Sequence, residues 1–339
     1  MTLNFKRNAG AALNYYIFGK LPRRSDFVRV NASHPSAVSL DLLIAESLKR
    51  LQHDSRFTAA YRSMSATNVV LRRKDTNQLF LGAMQPSHDE AGRDYPLVAG
   101  TFHQEGPDIP LLSHVILAKE LFFNGLKEQL ASAIENSVEM LACKDFLDEQ
   151  SRFNAGYDAD LDLARQLLER HMRNTSVTQL NQMLCENQMG SLDVALLSFI
   201  FQQQLVNKFA SSMPSQVFLL PLPERDGEDV LFAAMWLALY LAATANVSKH
   251  TEQFLMLNTP SGRFLVLAPG ALTYQHFSIC WGVPIESSHQ VDVSEDSAPW
   301  KGDKAYAEAA YVLGRRLSDP AMSTAELCDV IRNISLSVG

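Results

Sequence analysis

Apolar residues recur at Leu40, Leu43, Ile44, Leu48 and Leu51, the three- and four-residue spacing of a helix with one buried face. Glu46, Lys49 and Arg50 fall on its wet side. Shorter apolar runs around this helix read as strands, at 12–17 (ended by Gly19), 68–71, 79–81 and 96–99. Between the second and third runs, residues 74–77 form a polar turn of hairpin length. The first hundred residues thus predict a strand, a loop, a helix and then three antiparallel strands.

From 111 to 205 the pattern turns helical, with Leu126, Leu130, Ile134, Val138 and Leu141 as one stripe. Ser176 and Gln179 have capping-box spacing, Gly190 is placed to stop that helix, and Ser191 to cap another through Phe199 and Leu205. Strand character returns at 216–220, with Pro221 and Pro223 as terminators. A hairpin is predicted where 254–257 and 264–267 flank Pro260, Ser261 and Gly262. Helices close the pattern at 303–317 and from Ser323, with Glu326 again at capping-box spacing.

These elements predict an α/β fold of the α+β type: a mixed, mainly antiparallel sheet with helices on its faces. Residues 1–110 read as the first sheet region and 111–210 as a helical segment. Residues 211–339 read as a strand-helix-hairpin region completing the core, plus closing helices. Helix followed by hairpin occurs at 40–81 and again at 230–267; two hairpins joining one sheet explain this more simply than a duplication. The acidic loop 292–303 reads as the link to the closing helices.

Residues 230–247 (VLFAAMWLALYLAATANV) are uncharged and just long enough to raise the question of a membrane span. Alanine makes up a third of them, Thr244 and Asn246 sit at one end, and Glu228 and Asp229 suit the positive end of a helix dipole. A buried core helix is the expectation, without membrane insertion.

With 339 residues, 47% of them hydrophobic, the chain can bury a large core. A net charge of −7 and an arginine cluster (Arg23, Arg24, Arg29) interrupted by Asp26 argue against nucleic-acid binding. Cys143, Cys185, Cys280 and Cys328 form no CxxC and have no nearby His, so they read as free buried thiols in a reducing compartment. No charged-then-apolar leader is visible in residues 1–10, and the expected location is cytoplasmic.

Two phrases break the ordinary pattern: FGKLPRRSDFV at 18–28 and PSHDEAGRDYPLV at 86–98. Both are dense in turn formers and charge yet embedded in apolar residues. Phe18, Gly19, Lys20, Leu21, Pro22, Arg24, Asp26 and Phe27, followed by Pro86, Ser87, Asp89, Gly92, Arg93 and Pro96, resemble the motifs of the TagF (ImpM-like) family. Arg23, Ser25, His88, Glu90, Ala91 and the pair Asp94-Tyr95 depart from the family pattern. A weaker echo runs from 254 to 281 without the family's tryptophan pair.

The resemblance implies a longin-like core and a role as an accessory protein of the bacterial type VI secretion system. It further implies post-translational repression by sequestering a forkhead-associated (Fha) scaffold protein. An assembly adaptor of the baseplate or membrane complex is the alternative, with the helical segment as its partner surface. A divergent hydrolase using His88 and Asp89 is the third reading.

The residues supply little chemistry. His88, Asp89, Glu90, Arg93 and Asp94 lack a metal-ligand spacing, no phosphate-binding glycine pattern occurs, and Ser87 lies outside any GxSxG. No catalytic residue, metal or cofactor is expected. The motif residues are candidates for partner binding: stiff loops lose little entropy on docking and arginine often anchors an interface. Equally, they can be internal staples, with Lys20 and Asp26 latching onto Asp94 and Arg93. A pairing of Arg24 with Asp26 within the loop is a further possibility.

Overall fold

The computed structural model describes residues 14–51, 57–73, 78–104, 110–152, 157–187, 189–209, 215–245, 252–293 and 300–338. The predicted turn at 74–77, the start of the predicted strand at 12–17, Asn246, Val247 and residues 294–299 of the acidic loop lie outside the described residues.

The strands are β1 (Tyr15–Gly19), β2 (Val28–Val30), β3 (Thr67–Arg73), β4 (Gln78–Gln85), β5 (Leu97–Gln104), β6 (Phe218–Leu222), β7 (Glu252–Thr259) and β8 (Gly262–Ala268). They form an eight-stranded sheet in the order β2-β1-β5-β4-β3-β7-β8-β6. Every pairing between these strands is antiparallel, so the expected mixed character is confined to an isolated parallel bridge, Val217 to Gln290. The first and last thirds of the chain meet where β3 lies against β7, Val70 opposite Phe254.

Helices α1 (Pro35–Leu51) and α2 (Phe57–Ser63) cover one face, together with a 3-10 turn at His276–Trp281. The other face carries α3 (Leu112–Ala118), α4 (Glu120–Glu135), α5 (Met140–Arg152), α6 (Tyr157–Asn174), α7 (Val177–Glu186) and α8 (Leu192–Phe209). It also carries α9 (Glu228–Ala243), α10 (Lys304–Leu317) and α11 (Thr324–Val338). Tyr15 and Ile17 face this larger layer while Tyr16 and Phe18 face α1 and α2. With both faces covered, stretches within the strands are apolar at successive positions, as at residues 79–84 of β4 and 264–268 of β8.

Helix α9 is buried almost throughout, packed against α3, α8, α11 and β6, which explains its lack of a polar face. Trp236 is fully buried and its indole N–H donates to the Pro221 carbonyl at 3.1 Å. Among the described residues no helix is long and apolar enough to cross a membrane.

Three expectations need correction. Pro221 does not end a strand but lies inside β6, an edge strand, where a missing N–H costs little. The predicted stripe stops at Ile134: α4 ends at Glu135, Asn136 caps a short 3-10 turn, and Val138 and Leu141 are exposed. Among the cysteines, Cys185 is exposed while the other three are buried and free.

Candidate functional site: two interlocked hairpin loops

Both motifs occupy turns at one end of the sheet. Gly19 ends β1 with φ of +133°, and a Cβ there would stand 2.0 Å from the Pro96 carbonyl oxygen and 2.8 Å from the Leu97 Cα. Only glycine lets the end of β1 lie so close to the start of β5. The chain then buries Leu21, half-buries Pro22, and turns as the Arg24 amide donates to the Leu21 carbonyl at 3.0 Å. Arg23, Arg24, Ser25 and Asp26 are exposed at the tip. Phe27 leads back into β2, whose Val28 pairs with Gly19.

The second motif is the β4–β5 turn. Pro86 is half-buried and Pro96 buried at its two ends, and His88 bridges Asp94. Inside, the Asp89 amide donates to the Arg93 carbonyl (3.1 Å) and the Gly92 amide to the Asp89 carbonyl (2.9 Å). Gly92 adopts φ of +78°, a left-handed position suited to glycine, and Glu90, Ala91, Gly92 and Arg93 are exposed. The Glu90 amide reaches across to the Arg24 carbonyl at 3.1 Å, so the two tips touch.

Asp89 is the latch. Its side chain is 0% exposed, with Lys20 Nζ 3.1 Å and Arg93 Nε 2.7 Å from Oδ2. The Arg93 amide donates to Oδ1 at 2.9 Å, and Lys20 Nζ also donates to the Arg93 carbonyl at 3.4 Å. Burial alone would raise the Asp89 pKa. The hydrogen bonds from the Arg93 amide, Lys20 and the Arg93 guanidinium outweigh it and hold the carboxyl at about 2. The latch therefore differs from the expected pairing of Lys20 and Asp26 with Asp94 and Arg93. Lys20 and Arg93 converge on Asp89, while Arg93 also donates to the Ser25 carbonyl at 3.4 Å. Asp26 forms no ion pair with Arg24 or any other described residue.

Three residues outside the two phrases, Tyr61, Arg62 and Asp41, brace the corner. The Tyr61 hydroxyl of α2 donates to the Ser87 carbonyl and accepts from the Ser87 amide, each at 3.0 Å. Ser87 Oγ donates to the Lys20 carbonyl at 2.8 Å, tying the second motif to the first. Arg62 pairs with Asp94 at 3.1 Å and donates to the Gly92 carbonyl at 3.3 Å. Tyr95 donates to the Asp41 carboxylate, and its ring meets Phe27 edge-on at 5.0 Å, with Phe18 stacked behind Phe27 at 6.5 Å. Burial first, then the Asp41 hydrogen bond, pushes the Tyr95 phenol far above its ordinary pKa. None of these partners lies at a regular spacing from a motif, so only tertiary structure reveals them.

Tyr61→Phe should lower stability by about 1–3 kcal/mol, because it leaves the buried Ser87 amide without an acceptor. Urea denaturation measures this, and an unchanged midpoint would remove Tyr61 from the corner's support.

Chemically, the corner is an anchored surface. The Asp89 carboxylate is saturated by donors, and the His88 ring Nδ1 lies 2.9 Å from the Asp89 carbonyl. Among the described residues, no group of three His, Cys, Asp or Glu side chains is placed to hold a metal ion.

Comparison with known proteins places both loops in one matched segment. Residues 17–150 match the family model of the TagF N-terminal domain, described as type VI secretion system-associated. The weaker echo at 254–281 lies outside the match. A crystal structure of PA0076 from Pseudomonas aeruginosa PAO1 is similar at 20% identity over 37% of this chain, with a TM-score of 0.30. The similarity spans 55% of that protein's chain. A search of curated proteins returns no match.

Proposed function

We propose that this chain, which carries a TagF N-terminal domain over residues 17–150 and is thereby a type VI secretion system-associated protein, is a non-catalytic repressor. It acts after translation, in the cytoplasm, by binding a Fha-type scaffold protein and withdrawing it from assembly. The observation that carries this reading is the exposed, arginine-bearing rim held rigid by the buried Asp89. Arg23 and Arg24 are exposed at the tip of the first turn, and Arg93 is exposed on the second while its guanidinium holds Asp89, the two backbones being already fixed to each other. Such a surface loses little conformational entropy on docking. The alternative hydrolase finds no support in the site, where Asp89 is fully occupied by donors.

Calorimetric titration of the full chain with the scaffold tests the reading. Saturable binding is expected, and Arg24→Glu should weaken it about tenfold with an unchanged melting temperature. No binding at about 10 μM, weaker than a specific complex requires, would overturn it. The assembly-adaptor reading is favoured by the exposed Leu121, Val138 and Leu141 of the helical segment. Lysine at Leu121 and Val138 should abolish an adaptor's partner binding but spare binding through the loops.

A further inference from the structure

A cleft of about 430 Å³ opens at the end of the sheet where β3 and β8 begin, between α4 and the first turn of α9. Asn68, Met256 and Arg263 line it from the sheet, Glu120 and Lys127 from α4, and Asp229 from α9. Nothing in the motif corner contributes to it.

Arg263 is engaged through Nη1, which lies 2.7 Å from Asp226 and 3.1 Å from Asp229, while its buried Nε, 3.7 Å from Glu224, has no hydrogen-bond partner among the described residues. Asp229 Oδ1 accepts from the Gly227 and Val230 amides at 3.0 and 2.9 Å. One guanidinium thus faces three carboxylates, and the cluster keeps a negative excess. Across the cleft, Glu120 makes no hydrogen bond or ion pair with a described residue. Burial first, and then the charge of Asp229, raises its pKa, against the opposing charge of Lys127. The second observation is independent of charge. Asn68 is only 6% exposed, and its Oδ1 is buried with no hydrogen-bond partner among the described residues. A buried amide oxygen left bare is costly and calls for a donor. Asn68 Oδ1 and the Glu120 carboxyl oxygens are both acceptors, so what they lack is a donor, and the negative excess of the neighbouring cluster favours a positively charged one.

We propose that this cleft binds a primary ammonium or guanidinium group, with Asn68 Oδ1 and the Glu120 carboxylate as its acceptors. The cation can come from a free aliphatic amine or from a lysine or arginine side chain of a peptide. The volume suits either one. Lys127 stands on the same face of α4 two turns beyond Glu120, where it can meet the carboxylate or carbonyl end of such a ligand.

The test titrates the full chain calorimetrically with 1,4-diaminobutane and agmatine, then with Nα-acetyl-lysine and Nα-acetyl-arginine methylamides, and with glutarate as the anionic control. Saturable binding of a cationic probe at a single site is expected, with none for glutarate. Glu120→Gln and Asn68→Ala should each weaken binding at least about tenfold. If Asn68→Ala misfolds by circular dichroism, Glu120→Gln decides alone, since its side chain is partly exposed and the substitution isosteric. Preference for the free amines or for the capped residues identifies the source. No cationic probe binding at about 10 mM, beyond any useful affinity, overturns the proposal. So does binding that Glu120→Gln leaves unchanged, or binding of glutarate in place of the cations.

Discussion

Alanine in place of Gly19 should cost more than about 3 kcal/mol, the largest effect expected of any single methyl group in this protein. Two costs add. The backbone at φ of +133° lies where a side chain is strained, and the new Cβ would stand 2.0 Å from the Pro96 oxygen. Both nearest atoms are backbone, at Pro96 and at Leu97 where β5 begins, so relief requires the end of β1 to leave the sheet. Gly92→Ala is the control: its φ is also positive, but an added Cβ meets nothing within 4 Å. That variant should lose only about 1 kcal/mol. Denaturant midpoints separate the two, and a Gly19→Ala protein as stable as Gly92→Ala would refute the close-approach argument.

The second large effect is expected at Asp89. Asp89→Ala strands the Lys20 ammonium and releases the Arg93 amide and guanidinium, so both loop tips lose their common anchor. Scaffold binding should fall further than with Arg24→Glu, and the melting temperature at neutral pH should drop as well. The pH dependence distinguishes a latch from a mere filler. The folded carboxyl sits at about 2, below its ordinary 3.8. Its contribution is present above 3.8 and is lost as pH falls through the folded value. The gap in melting temperature between wild type and Asp89→Ala should therefore be widest at neutral pH and close as the solution approaches pH 2. A gap independent of pH would mean that Asp89 contributes by shape alone.

Much of the fold was legible because local signals and tertiary needs agree. Leu40, Ile44 and Leu48 are buried on α1 as their spacing predicts. The Ser176–Gln179 capping box forms at α7, and Ser323 exchanges hydrogen bonds with Glu326 at the start of α11. The turn before Gly262 joins β7 to β8. Failures came where neighbours outvoted the local pattern. Val138 and Leu141 continue a helical spacing that Asn136 interrupts by capping a new turn. Pro221 looked like a stop because sequence does not reveal which strand will lie at an edge.

The corner was half legible. Its two phrases stand out as charged turns, and the structure brings them into contact. Their partners were invisible: Tyr61, Arg62 and Asp41 come from helices whose approach no spacing encodes. The choice of Asp89 over Asp26 and Asp94 depends on which carboxylate the turn hides, again a property of the assembled loops.

The pairing of β3 with β7 bears on how the protein can be cut. The segment matching the TagF N-terminal domain ends at 150, yet β3 receives its second hydrogen-bonded neighbour from residues beyond 250. Expressed alone, that segment would present a bare row of amides and carbonyls along β3, flanked by Val69, Val70 and Leu71. Such a border recruits whatever strand is available, including another copy of itself. The stretch that matches the family model is thus shorter than the sheet it helps to build.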